Sequence, residues 1–153
     1  MVQEGEIPMI TVAEMMTTGT KTLTKDDSLA DVQAVMEKFS CHHVPIVTNG
    51  SQLDGLVSQR DVLKITESSL VQDADRIDPE QLKVAEFMTS DVFTVQPETS
   101  LRKAAIYIRT QRYGCLPVVD GNKLVGIITD SDFVNIAIDL LEQIEESEPV
   151  EDI

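Results

Sequence analysis

The sequence predicts an α+β protein made of two β-α-β-β-α repeats packed with pseudo-twofold symmetry. Three observations carry that prediction. The chain contains itself twice at a near-constant offset, the one slip in that offset falls in a turn, and apolar residues alternate between strand and helix periods. Its 153 residues are 42% hydrophobic, far from the composition of a disordered chain. One copy of about sixty residues buries too little surface to be comfortable alone. Two copies covering each other's sheets would share a core, with a cleft between them holding two quasi-equivalent sites.

The elements follow in order. Val-Ala-Glu-Met-Met-Thr at 12–17 returns as Val-Ala-Glu-Phe-Met-Thr at 84–89, offset by 72. Ser28-Leu29 returns as Ser100-Leu101, and Val44-Pro45-Ile46-Val47 as Leu116-Pro117-Val118-Val119. Gly55-Leu56-Val57-Ser58 and Asp61 return as Gly126-Ile127-Ile128-Thr129 and Asp132, now offset by 71. The lost residue lies between Val47 and Leu53, where a hairpin turn tolerates a length change. Lys21 to Thr24 and Val92 to Val95 are short β-prone runs. Ser28 opens a helix through a capping box with Asp31, and Leu29, Val32, Val35, Met36 and Phe39 share one face. The copy uses Leu101, Ala104, Ala105 and Ile108. Val44–Val47 with Leu53–Val57, and Leu116–Val119 with Leu124–Ile128, make hairpins, and a second helix follows at Ser58 and at Thr129. The expected divisions are a first repeat at 10–68, a polar linker at 69–82 holding the helix-stopping Pro79, a second repeat at 83–144, and an acidic tail at 145–153.

The last helix carries more apolar surface than one module can bury. Phe133, Ile136, Ala137, Leu140 and Ile144 form a core-facing stripe, with Val134, Ile138 and Leu141 as a second stripe beside it. Only Asn135, Asp139 and Glu142 make a clearly wet face. An apolar arc of that width predicts a homodimer.

Twelve Lys and Arg against 27 Asp and Glu give a net charge of −15. That balance argues against nucleic acid and against anionic membranes. No run reaches the roughly 18 apolar residues of a membrane span, and the acidic start lacks the layout of a secretory signal, so a cytoplasmic protein is expected. The acidic tail reads as a solubility device or as a docking tail for a basic partner. Cys41 and Cys115 form no paired framework and read as reduced thiols. Cys41-His42-His43 resembles a metal-ligand run, but successive strand residues face opposite sides, so no metal site is expected. No GxSxG, HExxH, Walker A or GxGxxG motif appears, and the chain is not expected to be an enzyme.

The repeated Gly-x-x-[Ser/Thr]-x-x-Asp motif has a direct chemical reading. Gly55 and Gly126 lack a Cβ late in a strand, where another group can approach the backbone. Ser58 and Thr129 stand at a helix start, where free N–H groups favour phosphate oxygens. One turn on, Asp61 and Asp132 offer carboxylates that accept from a ribose diol. The same residues also make two capping boxes that need no ligand. Arg60 supplies a cation inside the first motif, whereas the second carries Asp130 and Ser131 in place of Gln59 and Arg60.

Met-Thr, helix, x-Pro-[Ile/Val]-Val, turn and Gly-x-x-[Ser/Thr]-x-x-Asp, in that order and twice, resemble a CBS domain and a tandem CBS pair, or Bateman module, over residues 10 to about 144. The resemblance implies a regulatory sensor for an unidentified protein. It implies an adenosine-containing ligand (AMP, ADP, ATP or S-adenosylmethionine) in the inter-repeat cleft. No cofactor is required. The residues it implies for ribose and phosphate are Ser58, Asp61, Thr129 and Asp132, with Arg60 beside them. His42, three residues before Pro45, occupies a position where related modules place a phosphate-facing polar residue. Gly114 stands there in the second copy, and Tyr113 reads either as a purine stacker or as a half-buried strand tyrosine. Asp130 implies two unequal sites, with Mg2+ accompanying a phosphate at the second. Pairing through helices into a disc is also implied. The alternative is an interaction scaffold whose clefts are vestigial.

Overall fold

A computed structural model describes residues 9–71 and 78–147. Its centre is two antiparallel hairpins, β1 (His43–Thr48) with β2 (Gln52–Ser58), and β3 (Cys115–Asp120) with β4 (Lys123–Thr129). Asn49 and Gly50 turn the first hairpin with positive φ, and Gly121 turns the second. The one-residue slip of the repeat is thus accommodated at the turns.

The two repeats do not cover each other's sheets. They join edge to edge into one four-stranded sheet in the order β1-β2-β4-β3. A single registered pair, Gln52 with Lys123, links the halves. Leu53 N–H donates to the Asn122 carbonyl at 3.0 Å and Leu124 N–H to the Ser51 carbonyl at 2.8 Å. Each inner face is already covered by its own helix. Leu29, Val32 and Met36 pack over Val44, Ile46 and Val57 in one half, and Leu101 and Ala104 over Leu116, Val118 and Ile128 in the other.

Those helices start as their caps require. In α2 (Leu29–Phe39) the Ser28 N–H donates to Asp31 Oδ2 at 2.9 Å and the Asp31 N–H to Ser28 Oγ at 3.2 Å. In α4 (Leu101–Gln111) Ser100 Oγ accepts from the Lys103 N–H. Both helices end in a left-handed non-glycine residue, Ser40 and Arg112. Phe39, expected on the buried face, is exposed at the last helical position, with Lys21 Nζ 4.8 Å from its ring centre. The helices after the hairpins are α3 (Gln59–Val71) and α5 (Asp130–Ser147).

Two expectations about elements need correction. Neither Lys21–Thr24 nor Val92–Val95 forms a strand. Leu23 makes one parallel bridge to Ile46, and Val95 one to Val118. The chain turns away at once, because Asp27 Oδ2 accepts the Thr24 N–H and Thr99 Oγ1 accepts the Gln96 N–H. The apolar stripe of α5 is not core-facing beyond its first two turns. Phe133 and Ile136 are half-buried, whereas Ala137, Leu140 and Ile144 are exposed. An 18-residue helix rises about 27 Å, longer than the seven-residue strand it follows.

The leading segment of each repeat crosses to the other. In α1 (Val12–Met15), Val12 is fully buried in the core of the second half, and its N–H donates to the Thr99 carbonyl at 2.8 Å. The 3-10 turn Val84–Glu86 mirrors it: Val84 enters the core of the first half and its N–H donates to the Asp27 carbonyl at 2.8 Å. Thr17 then pairs with Ile127, and Thr89 with Leu56, through two hydrogen bonds each.

Candidate functional site

The repeated glycines explain why this crossing can close. A Cβ on Gly55 would stand 2.7 Å from the Thr89 carbonyl oxygen and 2.9 Å from Met88 Sδ. On Gly126 it would stand 2.8 Å from the Thr17 carbonyl oxygen and 2.7 Å from Met16 Sδ. The group that approaches each bare glycine is the Met-Thr of the other repeat. Its immediate role is packing.

Past Thr89 the crossing segment runs on through Asp91, Val92 and Phe93 alongside the start of α3. A cleft of about 700 Å3 opens there. The first repeat lines it with His42, His43, Ser58, Arg60 and Asp61, and the second with Arg112, Tyr113, Gly114, Cys115 and Asp130. Six of the eight residues singled out in the sequence therefore meet in one cavity: Ser58, Arg60, Asp61, His42, Tyr113 and Gly114. Thr129 and Asp132 do not line it.

At the head of α3 the Ser58 N–H donates to Asp61 Oδ2 at 2.9 Å, and the Asp61 N–H to Ser58 Oγ at 3.2 Å. At the head of α5 the Thr129 N–H donates to Asp132 Oδ2 at 2.8 Å, and the Asp132 N–H to Thr129 Oγ1 at 3.2 Å. Both motifs cap their own helices, and each cap uses one carboxylate oxygen. Asp61 Oδ1 faces no hydrogen-bond donor among the described residues. It remains open to a ligand.

One wall is aromatic. Phe93 and Tyr113 stack with ring centres 5.6 Å apart at 22°, and Tyr107 meets Phe93 edge-on at 4.8 Å. Tyr113 is 39% exposed, so its ring is available to a planar group. Arg60 and Arg112, from opposite repeats, are both exposed and hold no ion-pair partner among the described residues. His43 reaches under Gly114: a Cβ there would lie 3.0 Å from His43 Nε2 and 3.8 Å from Asp130 Oδ2. Burial holds the His43 pKa below its usual 6.5, opposing Asp130 and, more weakly, Asp61, which raise it; His42 lowers it further. The Cys115 thiol, buried in the strand beneath, is pushed up to about 12, first by burial and then by Asp132 and Asp130.

Phe93, Asp91, His43 and a first-cleft position for Asp130 are cleft groups that local sequence does not reveal. The signal lay in the Met-Thr repeats. Once Met88-Thr89 is seated on Gly55, the residues that follow must land beside Ser58 and Asp61.

With this geometry in view, the chain is a tandem pair of α+β modules with a cleft at their interface. It belongs to the CBS domain family, whose model matches residues 12–68 and 84–139. A CBS domain-containing protein of Dictyostelium discoideum is 28% identical over 88% of this chain and 96% of its own length. A crystal structure from Vibrio cholerae, described as an acetoin utilization protein (AcuB), superposes with a TM-score of 0.82 at 45% identity, covering 91% of this chain and 99% of that one. CBSX2, solved in complex with AMP and known from Arabidopsis thaliana, superposes at 0.73 with 25% identity over 86% of this chain and 98% of its own. Longer relatives are enzymes, homoserine O-acetyltransferase of Methanococcus vannielii and inosine-5'-monophosphate dehydrogenase of Mycobacterium bovis among them, and this chain spans 24% and 23% of their lengths. No helix among the described residues is long and apolar enough to cross a membrane.

Proposed function

We propose that this chain is a cytoplasmic, non-catalytic regulatory module that senses an adenosine-containing ligand in the cleft between its repeats. One observation carries the reading: a single cavity joins an open ribose-type carboxylate at Asp61, an aromatic wall at Phe93 and Tyr113, and two unpaired guanidiniums at Arg60 and Arg112. Those are the three chemistries a nucleoside with an anionic substituent needs. The AMP complex of the similar CBSX2 supports the same class of ligand. Binding here bridges both repeats, which is how occupancy would reach a regulated protein. No three His, Cys, Asp or Glu side chains among the described residues gather to hold a metal, so an accompanying Mg2+ would ride on the ligand's own phosphates.

The test separates ligand from cap. Asp61→Asn keeps one side-chain oxygen to accept the Ser58 N–H and loses the charge that holds a ribose diol. We expect AMP at about 100 times its Kd to raise the wild-type melting temperature by roughly 5–10 °C, the equivalent of about 2.7 kcal/mol. Asp61→Asn should weaken calorimetric binding about tenfold or more, the worth of a charge-assisted hydrogen bond, with little change in the unliganded melting temperature. No shift with AMP, ADP, ATP or S-adenosylmethionine would favour a scaffold with a vestigial cleft. At the second motif Thr129 and Asp132 cap α5 in the same way and lie outside the cavity of the first, so the ligand is proposed for the Asp61 cleft. We further propose that the chain pairs as a homodimer through α5, whose apolar residues Val134, Ile138, Leu140, Leu141 and Ile144 are exposed.

A further inference from the structure

Resting on that reading of the cleft, we infer that Asp130 sets its ligand specificity: the second repeat places this carboxylate where it discriminates against adenosine ligands carrying a polyphosphate. The sequence puts Asp130 in the second motif, but the fold delivers it to the cavity of the first. Gly114 makes this possible. Its carbonyl accepts the Asp130 N–H at 3.1 Å, and its missing Cβ leaves the space into which Asp130 Oδ2 and the His43 imidazole both point.

Asp130 does not swing freely away. It opens α5, and its Oδ1 accepts the Ser131 N–H at 2.8 Å, which holds the carboxylate on the cleft side of the helix. The pseudo-equivalent residue of the first repeat is the neutral Gln59, so the charge belongs to this cavity's second wall alone. Two guanidiniums, Arg60 and Arg112, therefore face three carboxylates, Asp61, Asp91 and Asp130. With Asp61 engaged by ribose, a base on the Tyr113 ring leaves the 5′ substituent to the polar lining of His42, His43, Arg60, Arg112 and Asp130. One phosphate finds two cations there. Each further phosphate adds charge against Asp130 with no new cation to meet it. A like charge about 6 Å away in a medium of intermediate dielectric changes affinity about tenfold. The ligand class that fits is an adenosine with an uncharged, cationic or singly phosphorylated 5′ group.

Calorimetry on the whole chain in about 50 mM salt, without Mg2+, tests this. The probes are 5′-methylthioadenosine, AMP, ADP and ATP. In the wild type, affinity should fall from AMP to ATP. In Asp130→Asn, which retains the oxygen for the Ser131 N–H, the affinity for ATP relative to 5′-methylthioadenosine should rise about tenfold. Asp130→Glu should restore the wild-type ratio. ATP as the tightest wild-type ligand, or an unchanged ratio in Asp130→Asn, would overturn the inference while leaving an adenosine-binding cleft. Failure of every probe to bind would remove the cleft reading and this inference together.

Discussion

At the scale of single residues, the cleft floor is governed by His43. It sits half-buried between Asp130, Asp61 and His42, and burial outweighs the two carboxylates, so its folded-state pKa lies below the 6.5 of an unfolded chain. The folded protein therefore prefers the neutral imidazole. Above pH 6.5 both states are neutral and this preference is fully satisfied. As pH falls below 6.5 toward the lower folded value, the unfolded chain takes up the proton first, and stability is lost. We expect the wild type to lose more melting temperature between pH 7.5 and 5.5 than His43→Gln does. Parallel losses in the two proteins would show that His43 titrates alike in both states. The sequence made His42 and His43 visible as a pair but not their surroundings. Asp130 is distant in the chain, and only the junction at Gly114 brings it within reach.

At the scale of elements, the crossing segments decide how the repeats hold together. Val12 and Val84 are buried in cores that belong to the opposite halves, and Gly126 and Gly55 receive the Met-Thr that follows each of them. The contact at each glycine includes a backbone carbonyl, which cannot turn aside as a side chain would. Gly126→Ala should therefore destabilise the unliganded protein by about 1–3 kcal/mol, the usual range for overpacking, or roughly 2–10 °C for a chain of this size. A thermal melt without ligand measures it, and an unchanged midpoint would mean that the segment relaxes at no cost. The two Met-Thr copies and the two glycines were legible as repeats. Their mutual contact was not. An offset in sequence says that two segments are alike, but carries no information about which half each packs against.

At the scale of the whole molecule, α5 is the element left unfinished. Val134, Ile138, Leu140, Leu141 and Ile144 are each 47–59% exposed, and none of the 18 helix residues is buried. Leu63, at the position in α3 that corresponds to Val134, is likewise exposed at 51%. Apolar surface on this scale marks an interface, and closed twofold pairing is the commonest way for a soluble chain to cover it. Ile138→Glu should convert a dimer of twice the chain mass to monomer in light scattering with far-UV helicity intact. A wild-type monomer at about 100 μM, a Kd no tighter than roughly 5–6 kcal/mol of association, would exclude the homodimer.

The two-repeat architecture was legible as an offset of 71–72, and the hairpins, helix starts and capping motifs were legible because they depend on neighbours within a few residues: Ser28 with Asp31, Ser58 with Asp61, the alternation along Val44–Val47. The same local rules reached six of the cleft residues through the family pattern. Long-range packing set the edge-to-edge joining of the halves, the exchange of leading segments, and the meeting of Asp130, Arg112 and Phe93 with Asp61 in one cavity. Those outcomes rest on contacts between residues roughly 30 to 110 positions apart, whose pairing is chosen by burial and steric fit across the pseudo-twofold. The bare Cα of Gly55 under Thr89 and the space above Gly114 are shapes. A pattern of residue types specifies a shape only once the chain has closed around it.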